Sequence, residues 1–274
     1  MMKTILITKD IKVAKYAENS GVDRIMVDLE ILGKNERQGH LNTVISKHTI
    51  EDVKIIRKVL NNSKLLVRIN PINPNSKEEI KRVIESGADI LMLPMFSSPE
   101  EVQFFVENST HKVKKMLLLE TPQALARIDD ILEIKGVDEI HIGLNDLHLG
   151  MNLDFMFELL SGGIVEYLSK KIKAKGITFG FGGIARVGQG QLDSSLILSE
   201  HLRLGSEIVI LSRDFKGGAE KYEELIEKID LKAEVLLIKR TLKMLSLQNV
   251  VKLLENKKKL KEKVKKILLN KKNG

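Results

Sequence analysis

Glu120 follows a run of leucines, and Asp146 follows the apolar run IHIG one repeat further along the chain. A helix-like stretch separates them, so both acids fall at the ends of consecutive buried strands of a parallel α/β protein. Two carboxylates with room for water suit a hard divalent cation, Mg2+ or Mn2+. A bidentate 2-oxo acid can displace such waters, and the ion then acts as a Lewis acid toward an enolate oxygen. Arg68, in LLVRIN, offers a planar fork for a substrate carboxylate. Asp28 and Glu30 close RIMVDLE, and Asn145 precedes Asp146. Gly143, Gly182 and Gly183 would let backbone approach a ligand closely. Each residue also has a plainer role. A strand-end acid often caps the next helix, as Asp146 could, and Arg68 has Asp28 and Glu30 as ready ion-pair partners. The ring of them at one sheet end says more than any member.

The elements that must position this ring are eight apolar runs, at residues 4–8, 24–30, 65–70, 90–94, 115–120, 139–143, 177–183 and 207–212. Helical periodicity fills the gaps between them. Ser76 with Glu79 has capping-box spacing, and Ser98-Pro99 and Thr121-Pro122 read as helix starts. Eight alternating units predict an α/β fold, a closed (β/α)8 TIM barrel. An open doubly wound sheet is the alternative, but no Gly-x-Gly-x-x-Gly follows the first strand. Residues 31–50 read as a long polar loop carrying His40 and His48. With His141 and His148, these histidines show no metal-ligand spacing.

The absence of cysteine excludes disulfides, a thiolate nucleophile and a cysteine-based zinc site. The net charge of +8 misleads. Residues 231–274 carry 14 lysines and arginines against three acids, so residues 1–230 are mildly acidic. That argues against a nucleic-acid partner for the main domain. The expected organisation is a barrel over 1–230 and a lysine-rich, amphipathic helical tail over 231–274. The tail's apolar positions Val250, Leu253, Leu254, Leu260, Val264, Ile267 and Leu268 have helical spacing. They suit packing on the barrel or on a partner subunit, and an acidic partner or anionic surface is the sharper reading. No run approaches the ~20 apolar residues of a membrane span. The N-terminus lacks a signal-peptide pattern, so the expected location is cytoplasmic.

Five segments, in order, carry a resemblance: GVDRIMVDLE, LVRIN, GADILMLPMFSSPEEV, LLLETPQALARIDDIL and GVDEIHIGLNDLHLGM. Through residues 21–212 the chain resembles the HpcH/HpaI aldolase/citrate lyase family, a branch of the phosphoenolpyruvate/pyruvate-binding barrels. The resemblance implies a metal held by Glu120 and Asp146. It implies that Arg68 binds the carboxylate or enolate oxygen of a pyruvate- or oxaloacetate-like substrate, and a homo-oligomer that packs its last helices between subunits. The implied reaction is aldolase-type carbon–carbon cleavage or formation. Citrate-lyase-like cleavage of an acyl-CoA thioester, with the tail lysines near the CoA phosphates, is the alternative. The aldolase branch carries a histidine directly after the second-strand glutamate, and the citrate-lyase branch an aspartate; here Ile31 stands there. The usual Gly-Pro after the sixth strand is Gly143-Leu144, and Leu118 replaces a polar residue. Asp28, Glu30, His48, His40 or a metal-bound water would then carry the proton, or the barrel binds a 2-oxo acid without turning it over. An interaction protein working through the lysine-rich tail is the third class.

Overall fold

The computed structural model describes residues 2–33 and 48–273; His40 lies outside them. Among the described residues, eight parallel strands close into a barrel in chain order. They are β1 (Lys3–Ile7), β2 (Arg24–Asp28), β3 (Lys64–Arg68), β4 (Ile90–Leu93), β5 (Lys114–Leu119), β6 (Glu139–Ile142), β7 (Thr178–Ile184) and β8 (Ile208–Leu211). β8 pairs with β1 through Thr4↔Val209, which completes the ring. This is the expected (β/α)8 barrel with helices outside.

Strand residues alternate between two environments. Val27, Leu65, Val67, Leu91, Leu117, Ile140 and Val209 face the surrounding helices. Ile5, Met26, Leu66, Ile90, Met92, Met116, Leu118 and Ile208 form a separate cluster inside the barrel. The inward series of β2 and β6 begin with Arg24 and Glu139, a buried bidentate ion pair with a second bond of 2.8 Å. Two steps and more along the same series come Asp28, Arg68, Glu120 and His141. The interior is therefore apolar in the middle and polar at its carboxyl end. Most strands stop a residue or two short of the apolar runs, because the ladder ends where the backbone turns over the mouth: Glu120 and Gly143 lie just beyond β5 and β6.

Helix starts are fixed by side chains. Ser98 and Glu101 form a capping box for the helix Pro99–Asn108, and the Thr121 hydroxyl accepts from Ala124 N–H. Thr49 and Asp52 form another for the helix Ile50–Val59, which sets His48 one residue before the N-cap. Ser76 is not the cap expected from its spacing. It lies inside the helix Ser76–Glu85 after Asn75, and its hydroxyl accepts from Asn73 N–H. Glu79 instead accepts from the Asn70 backbone and side chain.

The tail folds as two helices, Leu231–Ser246 and Val250–Asn273. Leu231, Val235, Ile238, Leu260 and Val264 are buried against the barrel's helices. Asn256 Nδ2 donates to Ser199 Oγ at 3.1 Å in the helix Ser194–Leu204. Val250 and Leu254 face outward, so the apolar stripe is narrower than its spacing suggested. Among the described residues, no helix is long and apolar enough to cross a membrane.

Candidate active site

A cavity of about 1170 Å³ opens at the carboxyl ends of the strands. Asp28, His48, Arg68, Glu120, Gly143, Asn145 and Asp146 line it, so most of the residues singled out from the sequence meet there. Glu30 joins them through Arg68, and its charge acts on Glu120.

Glu120 is 3% exposed. Burial and then the charge of Asp146 raise its carboxyl well above the usual value, against the pull of Arg68 and the Met95 N–H. That N–H donates to Glu120 Oε1 at 3.2 Å. Met95 is held at φ 53°, a left-handed conformation uncommon outside glycine. On the other side, a Cβ at position 143 would lie 2.8 Å from both Glu120 Cβ and Oε2. Glycine is required there to leave the carboxylate its place. Asp146 lies in the first turn of the helix Leu144–Gly150, whose N-cap is Gly143, so it is not a cap. Two hard oxygen donors lining one cavity, one of them driven toward its neutral form by burial and then by the charge of the other, are the chemistry a divalent cation relieves. Among the described residues, no group of three or more His, Asp or Glu could enclose a metal. Two carboxylates are donors of the kind a hard divalent cation accepts when water and substrate complete its shell.

Arg68 faces the pair from β3. Its Nε and one Nη donate to Asp28 Oδ1 and Oδ2, both at 2.8 Å, and the other Nη stands 3.2 Å from Glu30 Oε2. Burial disfavours its charge, but Asp28 and Glu30 outweigh that and raise the guanidinium above its ordinary value. The ion pair expected as the plain role of Arg68 is present. It also locks the fork at the cavity wall, where its side chain keeps 14% exposure.

The two imidazoles of the cavity share a tautomer but are engaged through opposite nitrogens. Asp28 N–H donates to His48 Nδ1 at 2.9 Å, so neutral His48 carries its proton on Nε2. Burial is the main reason its pKa is lowered, Asp28 opposing and Lys9 assisting. His141, fully buried on β6, donates from Nε2 to Gly182 carbonyl at 2.9 Å, which leaves its lone pair on Nδ1. Gly182 turns that carbonyl inward at φ 56°, a conformation a side chain would resist. Burial pushes His141 down to about 4. His148 only bonds the Leu144 carbonyl of its own helix.

A family model for HpcH/HpaI aldolase/citrate lyase matches residues 6–156, more than half of the chain. The chain belongs to the HpcH/HpaI aldolase/citrate lyase family. No curated protein matches its sequence. Among solved structures, an HpcH/HpaI aldolase from Desulfitobacterium hafniense DCB-2 superposes with a TM-score of 0.64 at 17% identity, over 83% of this chain and 93% of that one. The citrate synthase SbnG gives 0.61 at 16% identity, over 87% and 93%. An HpcH/HpaI aldolase/citrate lyase family protein from Burkholderia cenocepacia J2315 gives 0.61 at 14%, over 87% and 95%. At these identities the likeness speaks to the barrel alone.

The family match spans the arginine and both acids and ends before β7 and β8. Ile31, at the position where the resemblance called for a proton carrier, is 55% exposed, and its N–H donates to Asn70 Oδ1 at 2.9 Å. Sequence reasoning missed some contributors to this family member's site and gave others no particular role. Met95 acts through its backbone, which no residue type announces. His141 sits on a strand rather than at its end; its inward parity with Glu139 was the available signal. Lys9 and Lys216 join Arg213, which closely follows the eighth apolar run, as cations on the β1–β8 side, but positive residues there are common on any surface.

Proposed function

We propose that this family member is a divalent-metal-dependent carbon–carbon lyase of the aldolase type, acting on a 2-oxo acid through a pyruvate-like enolate. The observation that carries the reading is the sharing of one cavity by the Glu120–Asp146 pair and the Arg68 fork. Family membership supports a lyase, and members generally use a divalent metal. Glu120 and Asp146 would hold Mg2+ or Mn2+, which when bound supplies a Lewis acid for the carbonyl of the 2-oxo acid.

The protein's own groups do the rest. Arg68 orients the substrate carboxylate, and its pairing with Asp28 and Glu30 fixes the fork before substrate arrives. Gly143 and Asn145 line the cavity beside the acid pair, and the glycine lets the protein backbone approach the ligand closely. His48 offers its Nε2–H to a substrate oxygen; with Nδ1 engaged by Asp28, it acts as a donor rather than as a base. The apolar floor of Leu118 and Ile210 keeps water from the carbanionic carbon. The expected assembly is a homo-oligomer. Titration calorimetry tests the reading: pyruvate binds only when Mn2+ is present, and Arg68→Met loses pyruvate while keeping Mn2+. Pyruvate binding that ignores both Mn2+ and Arg68 refutes it.

A further inference from the structure

The roles given so far to the described residues leave one step of the aldolase reading unassigned. Cleavage of a 4-hydroxy-2-oxo acid needs a group that takes the proton of the C4 hydroxyl, and Ile31 cannot. His48 has its acceptor nitrogen occupied by Asp28 N–H at 2.9 Å. The buried polar atoms without a hydrogen-bond partner among the described residues include His141 Nδ1. Its ring is 0% exposed and borders the cavity beside Leu118, Glu120 and Gly143. A carbonyl can only accept, so the 2.9 Å contact with Gly182 oxygen fixes the proton on Nε2 and the lone pair on Nδ1. A buried acceptor with no donor is costly and seldom retained without a ligand to fill it.

Resting on the function proposed above, we propose that His141 Nδ1 is the proton acceptor for the substrate's C4 hydroxyl. The step balances as follows. The O–H bond breaks and its proton goes to Nδ1. The oxygen's electron pair forms the C4 carbonyl of the aldehyde. The C3–C4 bond breaks, and its pair passes to C3 and the C2 oxygen as pyruvate enolate. His141 becomes an imidazolium whose Nε2–H stays on the Gly182 carbonyl, and its Nδ1 proton passes to water after the aldehyde leaves, while C3 of the enolate takes its proton from water. In the synthetic direction the same proton reaches the new alkoxide.

The test separates the hydroxyl step from the enolate step. Cleavage of a set of 4-hydroxy-2-oxo acids, bearing methyl, hydroxymethyl or carboxyl at C4, is followed by pyruvate release. Exchange of pyruvate methyl protons with D2O, which involves no C4 hydroxyl, is followed by NMR on the same Mn2+-loaded protein. His141→Gln keeps a donor for Gly182 but lacks a basic nitrogen, and His141→Phe removes both. The expected result is a fall in kcat for cleavage of about 100- to 10,000-fold in His141→Gln, with KM and the exchange rate within about twofold of wild type. If His141→Phe fails to fold, His141→Gln alone decides. Cleavage at the wild-type rate in His141→Gln overturns the proposal. So does an equal fall of cleavage and exchange, which marks a structural role. A wild type that exchanges pyruvate protons but cleaves none of the acids overturns this proposal and leaves the enolate reading standing. A wild type that does neither overturns both.

Discussion

Gly143→Ala is the smallest change that reaches the acid pair. The backbone at this position has φ −79° and ψ 94°, which alanine adopts without strain. Its effect is therefore contact alone. The added methyl would lie 2.8 Å from Glu120 Cβ and Oε2, and 3.2 Å from Leu118 Cδ1. Carbon atoms rest comfortably at roughly 3.5–4.0 Å, so Glu120 must recede by about 0.7 Å or more. Metal–ligand distances hold to within about 0.2 Å. A displacement of that size removes a good ligand position, and Mn2+ affinity is expected to fall about 10- to 100-fold, or roughly 1.4–2.7 kcal/mol. Crowding costs about 1–3 kcal/mol of fold stability in addition. Titration of Mn2+ by calorimetry, with thermal melts in the presence and absence of Mn2+, separates the two effects. A Gly143→Ala protein that binds Mn2+ as wild type does would refute the role given to Glu120.

Four further outcomes are expected. Arg68→Lys keeps a charge but cannot make the two parallel bonds to Asp28, so stability falls by about 1–3 kcal/mol and pyruvate no longer raises the melting temperature of the Mn2+ form. Glu139→Leu leaves Arg24 buried without its carboxylate and costs about 3–5 kcal/mol, while the Arg24→Met/Glu139→Leu double variant lies closer to wild type; urea unfolding of wild type, Arg24→Met, Glu139→Leu and the double variant measures the coupling. Glu18 accepts from the N–H groups of Asn61, Asn62 and Ser63, and despite the penalty of burial, Lys15 and these bonds lower its carboxyl from about 4.5 to about 2. Its contribution is therefore complete above pH ~4.5 and lost as pH falls toward ~2; in urea melts the gap between wild type and Glu18→Ala closes across that window. Leu260→Asp puts an unpaired charge under the last helix and lowers the melting temperature, whereas Val250→Asp, on the outward face, leaves it unchanged.

The barrel was legible because its signals are local and repeated. Most strands are apolar on both faces, and caps such as Ser98 mark where helices start. Ser76 misled because capping-box spacing is also met by a Glu79 that turns instead to Asn70, a partner the chain brings close only on folding. The acids and the arginine were readable as a set, since each closes an apolar run and β-strand order puts them on one rim. What spacing could not reveal was polarity within the cavity. Whether His48 gives or takes a proton depends on a backbone N–H twenty residues away. Whether His141 matters depends on which face of β6 is inside and on the carbonyl of Gly182. The tail's apolar positions were visible, but which of them meet the barrel is settled by the helix Ser194–Leu204 against which it packs.

The central claim is that Glu120 and Asp146 hold the metal that makes a 2-oxo acid enolise. Exchange of pyruvate methyl protons with D2O measures that claim without any knowledge of the aldehyde partner. The account predicts exchange in wild type that requires Mg2+ or Mn2+ and is lost in both Glu120→Gln and Asp146→Asn. Exchange that proceeds without a divalent metal, or that survives in both variants, would contradict it.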